Sequence, residues 1–170
     1  NKVKVNKFST LRNELLQLPN IKEVSISYNA PFYGSWSRNI DWEGGQAGDL
    51  INSRYNRATS TFLPTLKIDL VAGRNFNDKL ASDSSACIVN QKFINITGWS
   101  IDEAIGKKVW DNNYTIVGVM KDFHEQSPFV EIQPYLLTYH PGNLNGSKKI
   151  IIRISNNSDK ETFKQIKSKL

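Results

Sequence analysis

The chain contains 170 residues, and its hydrophobic fraction of 39%, with 4 Trp, 8 Phe and 6 Tyr, excludes an intrinsically disordered protein because a core can be buried. No apolar run reaches the roughly 18 residues that a transmembrane helix needs, and the single cysteine, Cys87, excludes an internal disulfide and a multi-thiolate metal site. The net charge of +6 is uneven, since residues 1–12 carry +4, residues 148–170 carry +5 and the middle is about −3.

The basic ends are open to three interpretations: contact with anionic lipid headgroups, contact with nucleic acid, or a solvated helix face. Nucleic acid is the least favoured of the three. The aromatic residues within these ends are Phe8 and Phe163, and both are at positions typical of a core. The sequence therefore predicts no nucleic-acid partner.

The first two predicted elements are a helix and a strand. Apolar residues recur at helical spacing over about residues 7–18, at Phe8, Leu11, Leu15 and Leu18, and Pro19 ends the helix. Val24, Ile26 and Tyr28 then alternate with polar residues, which predicts a strand. A helix followed at once by a strand is typical of half of a layered α/β unit.

Residues 29–49 are rich in Gly, Asn and Ser, and we expect a long loop with an edge hairpin there. Aromatic side chains on such a loop suit a surface that binds a partner or a ligand. The alternative is that most of them are buried in the core. The candidate partner surface consists of Phe32, Tyr33, Trp36 and Trp42.

The middle of the chain alternates short strands with short helices. Residues 50–57 have the pattern of a strand, and Ser60 or Thr61 is placed to cap a short helix that ends near Leu66. The remaining predicted elements are a strand over 85–90, a helix over 90–97, a helix at the capping box of Ser100 and Glu103, a hairpin turn at 111–113 and a strand over 134–139.

The C-terminal end mirrors the start, because a strand over 149–154 precedes a helix that begins at a second capping box, Ser158 with Glu161. This helix carries Phe163, Ile166 and Leu170 on one face. The two end units can share one sheet, with a β-rich insertion between them, and this predicts an α+β fold. Because the chain lacks an initiator Met and ends inside this helix, we interpret it as part of a longer protein.

Catalytic groups are scarce. Asp122, His124 and Glu125 form the densest polar cluster and are conceivable metal ligands or a general base, but no second cluster offers them partners. His140 is in a predicted turn that we expect to be exposed to solvent. The glycines form no phosphate cradle, and no Gly-x-Ser-x-Gly elbow occurs. The sequence predicts no catalytic residue, no metal site and no cofactor, so we expect no enzyme.

Five sequence blocks follow one another in the second half of the chain. They are FLPTLKIDLVAGRNF at 62–76, IVN at 88–90, AIGK at 104–107, YTIVGVMKDFH at 114–124 and IQP at 132–134. The first block contains a Gly-Arg pair, Gly73 and Arg74, followed by Phe76. In this order the blocks resemble the MacB-like periplasmic core domain of FtsX-superfamily ABC transporter permeases. The first half of the chain fits this family more loosely, through residues 18–24 and 30–31.

The resemblance implies a porter-like α/β lobe built from both chain ends, residues 1–30 and 140–170, and an inserted β-rich lobe with short helices over residues 31–139. It implies a periplasmic domain held between two transmembrane helices of a permease, to which ATP-driven movement is passed. The implied partners are those flanking helices, a second permease copy, a cytoplasmic ATPase subunit, and a periplasmic or outer-membrane protein. The resemblance carries over no catalytic residue and no cofactor.

The motif residues have physical explanations of their own. Gly73 is expected in a tight turn or at positive φ, and Arg74 is expected to pair with a carboxylate or with backbone carbonyls. Gly106 is expected to stop a helix and Gly118 to allow strands to approach closely. The structural motif is assigned to Gly73, Arg74, Phe76, Asn90, Gly106, Gly118 and Pro134.

Three hypotheses for function follow from the sequence. The leading one is a non-catalytic, extracytoplasmic coupling domain of an ABC transporter permease. The alternative is an extracytoplasmic ligand-binding sensor domain, since such modules also combine a helix with a mixed sheet between membrane segments. The third is a hydrolase or metal enzyme built around Asp122 and His124.

Overall fold

The computed structural model describes residues 6–33, 36–142, 148–156 and 160–170. The helices are α1 (Asn6–Leu16), α2 (Phe62–Leu66), α3 (Gln91–Thr97), α4 (Ile101–Ala104) and α5 (Lys160–Lys169), and a 3-10 helix spans Ala81–Ser85. The strands are β1 (Ile21–Ser27), β2 (Trp36–Ile40), β3 (Ile51–Ala58), β4 (Leu70–Gly73), β5 (Ala86–Asn90), β6 (Lys108–Val109), β7 (Tyr114–Met120), β8 (Tyr135–Tyr139) and β9 (Lys149–Ile154). The second capping box falls partly on residues 157–159, outside the described residues.

The described strands form one mixed sheet, which confirms the predicted α+β class. Its order is β4-β7-β5-β8-β3-β1-β9, with β2 on β3 and β6 on β7. The pairs β3–β8 and β5–β7 are parallel, and the other pairs are antiparallel. Parallel neighbours need crossover connections, and the short helices between the strands supply them.

The strands of the two chain ends lie side by side, as the sequence predicted. Strand β1 pairs with β9 along its full length, from Ile21 opposite Ile154 to Ser27 opposite Lys149. Helices α1 and α5 cover one face of this pair and bury Leu15 and other apolar side chains against it. We call α1, β1, β9 and α5 the end unit. It has its own apolar core, formed by Phe8, Leu15, Ile21, Val24, Ile26 and Ile166.

The end unit joins the rest of the sheet through a narrow seam between β1 and β3. The register of this pair contains one residue couple, Ser27 opposite Ala58. Backbone hydrogen bonds from Tyr28 N to Arg57 O and from Thr59 N to Ile26 O, both 3.0 Å, extend it. Helix α2 follows β3 in the chain and packs on β1 and β9 of the end unit, so it also bridges the seam.

The remaining strands enclose two further apolar clusters. One contains Val89, Phe93, Ile116 and Leu136 among its fully buried members. The other is centred on Phe62, Ile88 and Leu137. Alternate residues of β5 and β8 enter different clusters, as the pleat requires, so these strands are buried on both faces.

Two sequence expectations about burial are wrong. His140 is buried rather than exposed, because its N–H donates to Ala58 O at 2.8 Å and so continues the β3–β8 pairing beyond Tyr139. Phe163 is 57% exposed rather than in the core. Helix α5 buries Thr162 and Ile166 instead, and one residue along a helix rotates a side chain by about 100°, which turns Phe163 outward.

Candidate functional site

The Gly73–Arg74 pair lies where two neighbouring antiparallel strands approach each other closely. Gly73 on β4 lies opposite Gly118 on β7, and its φ is 70°. A Cβ atom on Gly73 would overlap the Val117 carbonyl oxygen, and one on Gly118 would lie 2.5 Å from Arg74 O. Real Cβ atoms do not come this close to other heavy atoms. The two backbones can therefore approach each other because neither residue has a side chain.

Arg74 directly follows Gly73, and its side chain pairs with a buried carboxylate. Its Nη1 and Nη2 donate to the two oxygens of Asp83 at 2.9 and 2.7 Å, and Asn77 N donates to the same carboxylate at 2.7 Å. The Asp83 side chain is fully buried, whereas that of Arg74 is 43% exposed. The hydrogen bonds from Arg74 lower the pKa of Asp83. The pair fixes the 3-10 helix against the end of β4.

Asn90 is a hydrogen-bonding hub between three elements. Its Oδ1 accepts from Phe93 N at 3.1 Å, which caps α3, and from Tyr135 N at 2.8 Å, which starts β8. Its Nδ2 donates to Gln133 O at 3.0 Å. The bonds to Phe93 N and Tyr135 N are buried, away from water, where a lost partner is costly.

The other motif residues also have structural contacts. Phe76 is buried against the Tyr139 ring at 5.6 Å between centroids. Gly106 has a φ of 90° two residues after the end of α4, and its N–H donates to Ile116 O. Pro134 precedes β8, and its carbonyl accepts from Arg54 N at 2.7 Å.

Three of the four candidate surface aromatics are exposed. Phe32 is 66%, Tyr33 79% and Trp36 52% accessible to solvent. Trp42 lies elsewhere, because its backbone bridges to Val109 and its side chain packs on the cluster that contains Val89 and Ile116. Phe32, Tyr33 and Trp36 are therefore open to solvent, whereas Trp42 is partly buried against that cluster.

Basic side chains lie over the aromatic rings of this region. Lys148 Nζ is 5.4 Å from the centroid of the Tyr28 ring, and Lys149 Nζ is 5.8 Å from that of Tyr33. Arg38 lies 6.0 Å from the Trp36 ring. We call these six residues together with Phe32 the aromatic–basic face. Sequence reasoning missed the pairing, because Tyr33 and Lys149 are far apart in the chain and no local pattern links them.

The polar cluster that was considered for metal binding has other contacts. The Asp122 carboxylate accepts from Lys92 N at 2.9 Å, near the start of α3. His124 is exposed in the loop after β7. Over the residues that the structure describes, no group of three His, Cys, Asp or Glu side chains is arranged to hold a metal ion.

His140, the second histidine, is held as a neutral ring. Its Nδ1 accepts from Gly142 N at 3.0 Å, and the ring packs edge-on against Tyr28. Burial, followed by the charges of Lys148 and Arg57, lowers the pKa of His140 to about 4. The imidazole is therefore uncharged at neutral pH and acts as a packing residue at the end of β8.

A cleft of about 310 Å³ separates α1 from the end of β8. This is the lower end of the volumes found for small-molecule sites. Its charged side chains are already engaged: Arg12 pairs with Glu23 at 2.7 Å, and Asp78 accepts from Tyr139 Oη at 3.1 Å. Because these groups bond to one another, the cleft does not favour the sensor hypothesis.

Among the described helices, the longest has 11 residues, and none is long and apolar enough to cross a membrane. No curated protein matches this sequence.

Solved structures with this fold come from transport proteins. The periplasmic region of MacB from Actinobacillus actinomycetemcomitans aligns with a TM-score of 0.62 at 15% identity, covering 95% of this chain and 70% of that one. A permease-like domain from Porphyromonas gingivalis aligns at 0.57 and 18% identity, covering 85% and 66%. The extracellular domain of the noncanonic ABC-type transporter YknZ from Gram-positive bacteria aligns at 0.56 and 18%, covering 95% and 77%.

These identities show a shared fold. The sequence itself matches the MacB-like periplasmic core domain over residues 4–168, which is nearly the whole chain. The match extends beyond the five blocks at 62–134 and includes both strands of the end unit. The chain therefore belongs to the MacB-like periplasmic core domain family of ABC transporter permeases.

Proposed function

We propose that this domain is a non-catalytic mechanical element, which receives ATP-driven movement from membrane helices and passes it to cargo or to a partner protein outside the cytoplasm. The observation that carries the proposal is that α1 and α5, the helices nearest the two chain ends, pack together on one pair of strands, β1 and β9. ATP hydrolysis takes place in another subunit, and the domain itself performs no chemistry.

The direction of α1 follows from its contacts with β1. The two elements are joined by a tight turn and run antiparallel, since Arg12 pairs with Glu23 and Phe8 lies against Gly142. Gly142 follows His140, whose N–H bonds to Ala58 opposite Ser27. The start of α1 is therefore near the end of β1.

Helix α5 lies beside α1 and runs antiparallel to it. Its first turn bonds to Asn20 through Thr162 at 2.8 Å, and its last turn reaches Glu14 through Lys169 at 3.6 Å. Asn20 follows α1, whereas Glu14 is inside it, so α5 runs toward the start of α1. A ten-residue helix covers about 15 Å, so α5 lies along α1 and its last turn is beside Glu14.

Two membrane helices that continue from Asn1 and Leu170 would thus both act on the end unit. A relative movement of these helices would be transferred first to α1, β1, β9 and α5, which share a core. It would reach the larger part of the sheet through the narrow β1–β3 seam and α2. We propose that this seam is the boundary between the end lobe, residues 1–30 and 140–170, and the inserted lobe, residues 31–139.

The proposed partners are those of a permease of this family: the flanking helices of its own chain, a second permease copy, the cytoplasmic ATPase and a periplasmic or outer-membrane protein. The structural motif from Gly73 to Pro134 shapes the inserted lobe. The exposed residues Phe32, Tyr33 and Trp36 form the contact surface, and the domain is anchored at the outer side of the inner membrane.

Distance measurements in the full-length permease with its ATPase test the proposal. Spin labels are attached at Lys164→Cys on α5 and Asp102→Cys on α4. Native Cys87 does not react, because it is fully buried and burial raises the pKa of its thiol. We expect the distance distribution between the labels to change when ATP is trapped by a hydrolysis-deficient ATPase.

A disulfide across the seam provides the matched comparison. Ser27→Cys with Ala58→Cys joins the two lobes, whereas Ser25→Cys with Ile151→Cys joins two strands within the end unit. The first pair should abolish the ATP-dependent change and the second should preserve it. Identical label distances with and without ATP in the unlocked protein would show that the domain is a static platform, contrary to the proposal.

A further inference from the structure

The aromatic–basic face combines two residue types at unusual density. Three cation–π pairs occur within residues 28–38 and 148–149, whereas significant pairs occur roughly once per 70–80 residues in proteins. Among the described residues, neither Lys149 nor Arg38 forms an ion pair with an acid. Their charge is thus available to a ligand, while their stems cover the rings.

Phe32 is held outward in a conformation that costs energy. Its φ is 66°, and such left-handed backbone is rare for a bulky residue. Burial does not compensate, because two thirds of the side chain is exposed at 66%. The backbone is fixed by a hydrogen bond from Phe32 N to Glu125 O at 2.8 Å. Glu125 belongs to the loop between β7 and β8, and this second loop also carries Phe129, which is 98% exposed. Backbone strain that is not offset by burial of the side chain is typical of residues in binding sites.

Part of the face, at Tyr28 and Lys149, lies near the start of α1. Lys149 is opposite Ser27, at the end of β1 where α1 starts. Tyr28 directly follows β1 and contacts His140, two residues before the glycine that touches Phe8. If a membrane helix precedes α1, this part of the aromatic–basic face is on the side of the domain nearest the membrane.

We propose that the aromatic–basic face docks on the anionic headgroups of the membrane that anchors the domain. This inference rests on the proposed function for the position of the membrane, and it names the ligand of the exposed aromatic surface. Lys and Arg bind the phosphates of anionic lipids, and the amphipathic rings of Tyr and Trp insert at headgroup level. Docking would hold the end unit in one orientation until the membrane helices move.

A lipid surface fits the face better than an acidic protein does. The exposed rings of Phe32 and Phe129 project from two separate loops. The pocket beside these loops, lined by Glu125 and Val130 among others, has a volume of about 10 Å³ and is too small for a peptide. Protein hot spots are aromatic side chains that fill pockets of the partner, surrounded by a rim that excludes water. A fluid headgroup layer needs no such shape, and it accepts scattered rings between charges.

Vesicle binding by the 170-residue chain tests the proposal. Co-sedimentation is compared on vesicles of phosphatidylcholine alone and on an equimolar mixture with phosphatidylglycerol. We expect binding to the anionic vesicles, weakened by salt. The variant Lys148→Gln with Lys149→Gln should bind about fivefold more weakly for each lysine removed. Lys67→Gln with Lys79→Gln removes the same charge from exposed positions elsewhere and should bind like wild type.

An aromatic variant separates insertion from bulk charge. Phe32→Asn with Tyr33→Ser keeps all basic residues, and Asn tolerates the positive φ of residue 32. Thermal unfolding should show an unchanged fold, while binding to the anionic vesicles falls severalfold. Equal binding of the lysine variant and its control, or no binding of the wild-type chain to anionic vesicles, would overturn the proposal and leave an acidic protein as the ligand. Neither assay involves ATP, so failure here is distinct from failure of the coupling experiment.

Discussion

At the scale of single residues, the contact between Arg74 and Asp83 explains why an arginine follows Gly73. Asp83 is fully buried and accepts from both terminal nitrogens of Arg74 and from Asn77 N. A planar guanidinium matches both carboxylate oxygens at once, which a lysine cannot do. Since the arginine is partly exposed, solvent screens the attraction, and its main effect is to avoid a lone buried charge.

We predict that Arg74→Ala lowers the free energy of unfolding by about 2 kcal/mol at pH 7, because a buried carboxylate loses charged hydrogen bonds. The matched variant Arg38→Ala removes an exposed arginine and should change it by less than about 0.5 kcal/mol. Urea unfolding measures both. Equal values for the two variants would show that the Arg74 pair does not stabilise the fold.

The pH dependence of this effect has a definite sign. The pKa of Asp83 is lowered in the folded state from its ordinary value of 3.8. Its contribution is therefore present above pH 3.8 and is lost as the pH falls through the lower, folded pKa. The difference between wild type and Arg74→Ala should shrink below about pH 4. A difference that grows on acidification would contradict the assignment.

At the scale of elements, local signals predicted the start of α4 correctly, whereas Thr61 precedes α2 without forming a side-chain capping bond. Ser100 and Glu103 form the expected capping box, with Ser100 N donating to Glu103 at 2.9 Å and Glu103 N donating to Ser100 at 3.3 Å. The hairpin turn at 111–113 is also present between β6 and β7. Capping and turn formation depend on residues within one turn of each other, so the sequence contains the full information.

Contacts between distant segments were not predictable in this way. Asp83 as the partner of Arg74, and Lys149 as the partner of Tyr33, depend on how strands are ordered in the sheet. His140 shows the same limit, since β8 pairs one residue beyond the predicted end and takes the ring into the interior. Local patterns specify where an element starts, whereas sheet register decides which side chains meet.

Asn90 links a local contact with a distant one, because its side chain accepts from Phe93 N at the start of α3 and from Tyr135 N at the start of β8. We predict that Asn90→Ala lowers the free energy of unfolding by about 3 kcal/mol, since Phe93 N, Tyr135 N and Gln133 O lose a buried partner. Asn52→Ala is the control. Asn52 is exposed and donates to Asn39 Oδ1, and its loss should cost less than about 0.5 kcal/mol.

Denaturant unfolding of both asparagine variants, followed by far-ultraviolet circular dichroism, measures these costs. If Asn90→Ala unfolds at the same denaturant concentration as Asn52→Ala, the three bonds are dispensable and the hub has no energetic role. Exchange of the Phe93 and Tyr135 amide hydrogens adds a local readout, and both should exchange faster in Asn90→Ala because neither retains its side-chain acceptor.

At the scale of the whole molecule, the sequence indicated that both ends share a sheet, and β1 and β9 confirm it. It could not show how short the strand pairing between β1 and β3 is. The β1–β3 register includes only Ser27 opposite Ala58, although β1 and β9 pair along their length. Because the end unit also has its own core, separate unfolding of the two lobes is physically reasonable.

We therefore predict that core substitutions act on one lobe at a time. Leu15 is fully buried in the end unit, and Leu15→Ala should cost about 3 kcal/mol there. All four tryptophans lie within residues 31–139, so their fluorescence reports on the inserted lobe. Leu15→Ala should leave the fluorescence midpoint unchanged and increase amide hydrogen exchange in β1 and β9.

The matched substitution Leu136→Ala removes an equally buried leucine from the cluster around Val89. It should lower the fluorescence midpoint and leave β1 and β9 protected. If either variant shifts both readouts by the same free energy, the sheet unfolds as one cooperative unit, because a lobe that depends on its neighbour cannot open alone. The seam would then be a rigid joint, and movement received by α1 and α5 would reach the inserted lobe without bending at Ser27.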